Sequence, residues 1–232
     1  MKPTIQLDSA TFPDGSELAL LTHDGDFTIT LDGEALMMSR QNESELELAR
    51  LGCARLTRRK DPTVLIGGLG LGYTLRQTLD LLGKHAKVVV AELRPEIVQW
   101  NREYLGELTG HPLRDLRVTV QNADVFDVIR QADHVYDAIL LDLDNGPDAK
   151  APDRNDSLYS RRGLRACINA LLDGECLAVW SADGDARFEK RMRNEKLHFR
   201  RFSVRAHKGG RARCRTVWVA STKSSNLPPR RD

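Results

Sequence analysis

An apolar run, Val64-Leu65-Ile66, passes directly into Gly67-Gly68-Leu69-Gly70-Leu71-Gly72, and a helical pattern opens at Tyr73. A buried strand, a glycine turn and a helix in that order restrict the fold, because a strand of a parallel sheet is continued through a crossover helix. The alternation repeats downstream. Residues 87–92 form a second strand, with Pro95 in the first turn of a helix reaching about Leu105. Residues 116–120 form a third strand, 124–132 a short helix and 138–142 a fourth strand. Ser160 caps a helix ending near Asp173-Gly174, and 176–180 form a fifth strand. A charged helix over 185–196 precedes two last strands, about 198–206 and 213–221. The pattern predicts an α/β fold with a Rossmann-like, doubly wound, mostly parallel seven-stranded sheet and an antiparallel C-terminal hairpin strand.

Ahead of this alternation the period changes to two. Leu18-Ala19-Leu20-Leu21, Phe27-Thr28-Ile29-Thr30-Leu31 and Ala35-Leu36-Met37-Met38 are separated by His23-Asp24-Gly25-Asp26 and Asp32-Gly33, and Asp-Gly between such runs is a hairpin turn signal. Residues 43–58 then place Leu46, Leu48, Leu51, Cys53 and Leu56 near helical spacing behind Asn42. The domains expected are a small β-hairpin subdomain at 1–40, the Rossmann-like domain at 41–222, and a disordered basic tail at 223–232.

No apolar run approaches the roughly 20 residues that span a bilayer, and no secretory leader precedes the first strands, so a cytoplasmic protein without membrane contact is expected. The four cysteines are far apart, with neither a CxxC pair nor a histidine at ligand spacing. That pattern fits buried thiols in a reducing compartment and no metal site. Net charge is only +2, yet residues 1–36 carry seven acids against Lys2, while residues 200–232 carry ten Lys and Arg against Asp232. The two ends therefore face different partners or each other.

Ligands of doubly wound sheets bind at the C-terminal ends of the strands. Gly68, Gly70 and Gly72 follow the first strand and let the backbone approach a nucleoside. Glu92 ends the second strand, where a carboxylate can accept ribose hydroxyls. Asp124, after the third, can take the adenine amino group or cap the next helix. A dinucleotide fingerprint needs a small residue where Tyr73 stands, and no Gly-Lys-Ser/Thr is present. The turn suits a nucleoside without pyrophosphate, such as S-adenosylmethionine. Asp142 ends the fourth strand and is followed by Asp144, Asn145 and Asp148. Asp142, helped by Asp144, can hold and deprotonate an amine nucleophile, and mutual repulsion should raise at least one of their pKa values. A calcium loop is the competing reading of these acids, but it lacks a twelfth-position Glu.

These residues carry a resemblance. Gly68-Leu69-Gly70-Leu71-Gly72-Tyr73-Thr74-Leu75-Arg76 resembles the GGGDGGTLR turn of spermidine synthases within the class I methyltransferase fold. Tyr136-Asp137-Ala138-Ile139-Leu140-Leu141-Asp142 is similar to their YDVIIxD, and Leu158-Tyr159-Ser160 to the segment before a helix. The resemblance covers roughly residues 15–185. It implies a transferase with decarboxylated S-adenosylmethionine or S-adenosylmethionine as co-substrate, aminopropyl transfer to a small amine and a homodimer. Three positions depart from the pattern: Leu71 replaces the turn's aspartate, which contacts the amine tail of the donor; Glu45-Leu46-Glu47 stands for Tyr-(His/Gln)-Glu, keeping the last acid; and Asp142-Leu143-Asp144-Asn145-Gly146-Pro147 displaces the second acid of DS(S/T)DP.

Cationic acceptors favour an acidic approach, whereas Arg205, Lys208, Arg211, Arg213 and Arg215 surround the last hairpin. They form either a solvated, charge-protected edge or a contact for an anionic substrate or nucleic acid. Methyl transfer to another acceptor, and a non-catalytic nucleoside- or nucleic-acid-binding protein, are the alternative functions.

Overall fold

The computed structural model describes residues 3–143, 147, 157–207 and 214–230. Four N-terminal strands, β1 (Ile5–Thr11), β2 (Glu17–His23), β3 (Asp26–Leu31) and β4 (Glu34–Met38), form an antiparallel meander in sequence order. The three strand-like runs of the N-terminal appendage are thus β2, β3 and β4, and β1 adds a fourth strand. β1 escapes a pattern search because most of it is exposed or half-exposed and its register shifts between Gln6 and Asp8.

After α1 (Glu43–Gly52) come β5 (Thr63–Gly67), α2 (Tyr73–Leu81), β6 (Lys87–Ala91), α3 (Pro95–Glu103), the one-turn α4 (Gly106–Thr109), β7 (Val118–Gln121), α5 (Val125–Gln131) and β8 (Tyr136–Leu141). The chain continues through α6 (Arg161–Ala170), β9 (Leu171–Ser181), α7 (Ala186–Asn194), β10 (His198–Arg205) and β11 (Cys214–Ser221). The strand order β10-β11-β9-β8-β5-β6-β7 gives the seven-stranded sheet read from the alternation, with β11 antiparallel to both its neighbours. Order reverses between β5 and β8, so their C-terminal ends open a crevice.

Alternation along the strands divides the core. Val64 and Ile66 of β5 pack on one face with Leu48, Leu75, Leu79 and Trp100 from α1, α2 and α3. Leu65 packs on the other with Ile129, Leu164 and Phe188 from α5, α6 and α7. Parallel strands covered on both faces are mostly apolar, and all six residues of β8 are buried; the one charged residue, Asp137, pairs with Arg59 at 2.9 Å and accepts from the Thr63 amide at 2.7 Å. No helix among the described residues is long and apolar enough to cross a membrane.

The segment from Lys223 to Arg230, where disorder was expected, lies against the domain. Asn226 donates to the Gly174 carbonyl at 2.5 Å, Arg55 donates to that of Ser225 at 3.0 Å, Arg200 reaches the Pro228 carbonyl, and Leu227 packs on the core. Backbone carbonyls that meet side-chain donors and one apolar anchor outweigh the polar composition that predicted disorder.

Candidate functional site

The strand tips expected to hold a ligand are joined to one another. The Gly68 amide donates to the Ala91 carbonyl at 2.9 Å, that of Glu92 to Gln121 at 3.0 Å, that of Ala123 to Glu92 at 3.1 Å, and that of Asp142 to Gly67 at 2.8 Å. The ends of β5, β6, β7 and β8 therefore form one continuous rim.

Glycine is required on that rim. Gly68 has φ +91°, and a Cβ there would come within 2.2 Å of the Asp142 carbonyl oxygen. Gly70, at φ +49°, faces the Met37 sulfur of β4, and Gly72, at φ +87°, precedes α2 against Asn101 and Thr109. Asn101 donates to the Gly70 carbonyl at 2.8 Å and fixes the turn from α3.

Glu92 is only 8% exposed, and burial raises its pKa. One carboxylate oxygen accepts from the Leu69 amide and the other from that of Arg94, both at 2.8 Å. Each oxygen keeps a further lone pair for a hydroxyl donor. Asp124 is the N-cap of α5, accepting from the Phe126 amide at 2.8 Å, the role sequence reasoning had set beside adenine recognition. Neither residue lines the neighbouring cleft.

That cleft is open to solvent and is lined by the glycine turn itself. Leu69, Gly70 and Leu71 form one wall, β4 forms another through Leu36, Met37 and Met38, and Asp142 and Glu45 lie between them. Asp142 accepts from the Thr74 hydroxyl at 2.5 Å, and that same hydroxyl sits 3.3 Å from the Glu45 backbone carbonyl. Burial pushes the Asp142 carboxyl up to about 6, with the Thr74 hydrogen bond opposing it. Burial, followed by the charge of Asp142, pushes Glu45 up to about 8. At neutral pH the pair thus combines a largely ionised acid with a largely protonated one.

Asp144, Asn145 and Asp148 lie outside the described residues, as do Lys208, Arg211 and Arg213. Of the basic hairpin, Arg205 is exposed whereas Arg215 lines the cleft. Glu45 escaped the sequence reading, which matched Glu47. The two lie 200° apart around α1, and Glu47 turns away to pair with Arg50 at 2.7 Å. Thr74, quoted only as part of the turn, proves to link α2 to the Asp142 carboxylate and to the backbone of α1 at Glu45. Among the described residues no group of three potential metal ligands occurs.

A family model described as spermine/spermidine synthase domain matches residues 48–189, more than half of the chain. The chain belongs to the spermine/spermidine synthase family. Polyamine aminopropyltransferase 1 of Hyperthermus butylicus is 30% identical over 203 residues, which are 84% of this chain and 63% of that relative. This chain accordingly spans less than two thirds of the curated relative's length. Two crystal structures share the fold at 18% identity, each covering 97% of this chain and 76% of its own. One is a spermidine synthase in complex with the transition-state analogue AdoDATO, at TM-score 0.74, and the other is the spermidine synthase of Thermotoga maritima, at 0.72.

Proposed function

We propose that this protein is an aminopropyl-type transferase that moves an alkyl group from an adenosyl sulfonium, decarboxylated S-adenosylmethionine, to an amine. The observation carrying this reading is the half-buried Asp142, hydrogen-bonded by Thr74 and accompanied by Glu45, beside the glycine turn that begins the nucleoside rim. Gly68, Gly70 and Gly72 form a close-approach cradle, with Glu92 positioned for the ribose and Asp124 for the adenine edge.

The donor supplies a carbon already activated by positively charged sulfur, and the C–S electrons return to sulfur as the thioether leaves. Asp142 orients the amine, whose lone pair forms the new C–N bond, and accepts the proton that the resulting ammonium releases. A carboxylate that titrates near 6 is ionised at neutral pH and remains a usable base. Most of the acceleration would come from holding nitrogen and carbon in line. Leu71 supports a second reading, in which S-adenosylmethionine is the donor, because an apolar side chain provides no counter-charge for an aminopropyl tail.

Thermal unfolding with decarboxylated S-adenosylmethionine, S-adenosylmethionine, methylthioadenosine and NAD supplied separately tests the nucleoside site. Saturation at a hundredfold excess over Kd should add about 2.7 kcal/mol. Asp142→Asn should retain that stabilisation and lose transfer, with product mass separating aminopropyl from methyl transfer. Stabilisation by NAD alone would replace the proposal.

A further inference from the structure

The sheet order separates the site into two halves. Gly68–Gly72, Glu92 and Asp124 occupy the tips of β5, β6 and β7, whereas β9 and β11 lie beyond β8 on the other side of Asp142. Two polar side chains of the cleft belong to that far half: Trp180 near the end of β9, and Arg215 near the start of β11. An acceptor that approaches Asp142 from the side opposite the nucleoside meets both.

Arg215 is a cation where a diamine pocket would be expected to hold none. Its guanidinium carbon lies 5.8 Å from the centroid of the Trp180 ring, and among the described residues it makes no hydrogen bond or ion pair. Trp180 Nε1 likewise has no acceptor among those residues. The half-buried guanidinium thus presents a fork of donors to the cleft, while Glu45 and Asp142 present acids. With Glu45 largely protonated, the ionised Asp142 and Arg215 offer one negative and one positive charge; an acceptor's second ammonium would meet the guanidinium and be repelled, whereas an acceptor that carries an amine and a carboxylate complements both.

Resting on the proposed transferase reading, we infer that Arg215 receives a carboxylate of the acceptor, so that the acceptor is an amino acid or similar zwitterion rather than a diamine. The planar guanidinium pairs with the carboxylate, and the acceptor's amine points to Asp142. Arg215 is then a specificity-determining residue that leaves the bond-making step to Asp142.

Ornithine and 1,4-diaminobutane differ by one carboxylate, as do lysine and 1,5-diaminopentane, which makes these pairs suitable probes. Binding of each to the full-length protein is measured by calorimetry with saturating methylthioadenosine, so that the readout does not require turnover. The wild type should bind the amino acid of each pair about tenfold or more tightly than the diamine. Arg215→Gln should abolish that preference, Arg215→Lys should restore part of it, and neither should alter methylthioadenosine affinity.

Diamines binding at least as tightly as the amino acids, or neither class binding, would overturn the inference. A loss in Arg215→Gln confined to S-adenosylmethionine, with decarboxylated S-adenosylmethionine and methylthioadenosine unchanged, would assign the guanidinium to the donor's carboxylate and also overturn it. Failure of every adenosyl ligand to bind the wild type would instead defeat the transferase reading. The amino-acid preference and its loss in Arg215→Gln would still be read without nucleoside.

Discussion

Replacing Glu45 by Gln should make the protein more stable at alkaline pH and leave it nearly unchanged in acid. The folded protein holds the Glu45 proton up to about pH 8, whereas the unfolded chain releases it near the ordinary value of 4.5. Between those limits the native state binds more protons, so stability falls as pH rises, and the full cost is present above pH 8. At 1.36 kcal/mol per pH unit, the cost is capped near 5 kcal/mol. Glu45 borders an open cleft, and water entering it should reduce the measured effect to about 1–2 kcal/mol. Urea unfolding of both proteins at pH 4.5 and pH 8.5 provides the comparison, with the slopes checked for equality. A gain in Glu45→Gln confined to pH 8.5 is expected. An equal change at both pH values, or a loss at pH 8.5, would show that Glu45 is not a carboxyl kept neutral by burial.

Gly68→Ala forces a methyl against the Asp142 carbonyl in a left-handed backbone, so unfolding experiments should register a loss of about 3 kcal/mol or more. Glu92→Gln keeps the shape but makes one side-chain position a donor facing a backbone amide. Methylthioadenosine affinity, measured by calorimetry, should fall about tenfold or more. Thr74→Val removes the hydrogen bond that opposes the raised pKa of Asp142, so the acid limb of the transfer rate should move to higher pH in a pH–rate profile.

Which parts of this molecule could be read from its residues follows from the range of the interactions concerned. Strand tips are local: Val64-Leu65-Ile66 must be buried and the glycines after it must turn, so Gly68, Glu92, Asp124 and Asp142 lie where the alternation put them. The cleft is not local. Glu45 sits on a helix whose apolar spacing announced only its core face, and its polar positions looked like solvent-facing charge. Arg215 sat among five basic residues with equal claim to be an aggregation guard. What distinguishes these two is the packing of α1 and β11 around the tip of β8, contacts separated by about a hundred residues or more in the first case and by over seventy in the second. β1 was missed for another reason, since a strand that buries little leaves little periodic signal.

The meander at the N-terminus has a consequence for how the cleft works. It is tethered to the Rossmann-like domain, with Trp100 donating to Asp8 of β1 at 2.8 Å and the Arg94 guanidinium stacked 3.8 Å over the Phe12 ring, while β4 leans Met37 over the glycine turn. Arg94 directly follows the β6 tip, and Trp100 belongs to the helix that pins Gly70. A tilt of this roof would therefore register at the glycine turn and the β6 tip, and a chain trimmed to its Rossmann-like part would lose one wall of the cleft along with the struts that hold that wall in place.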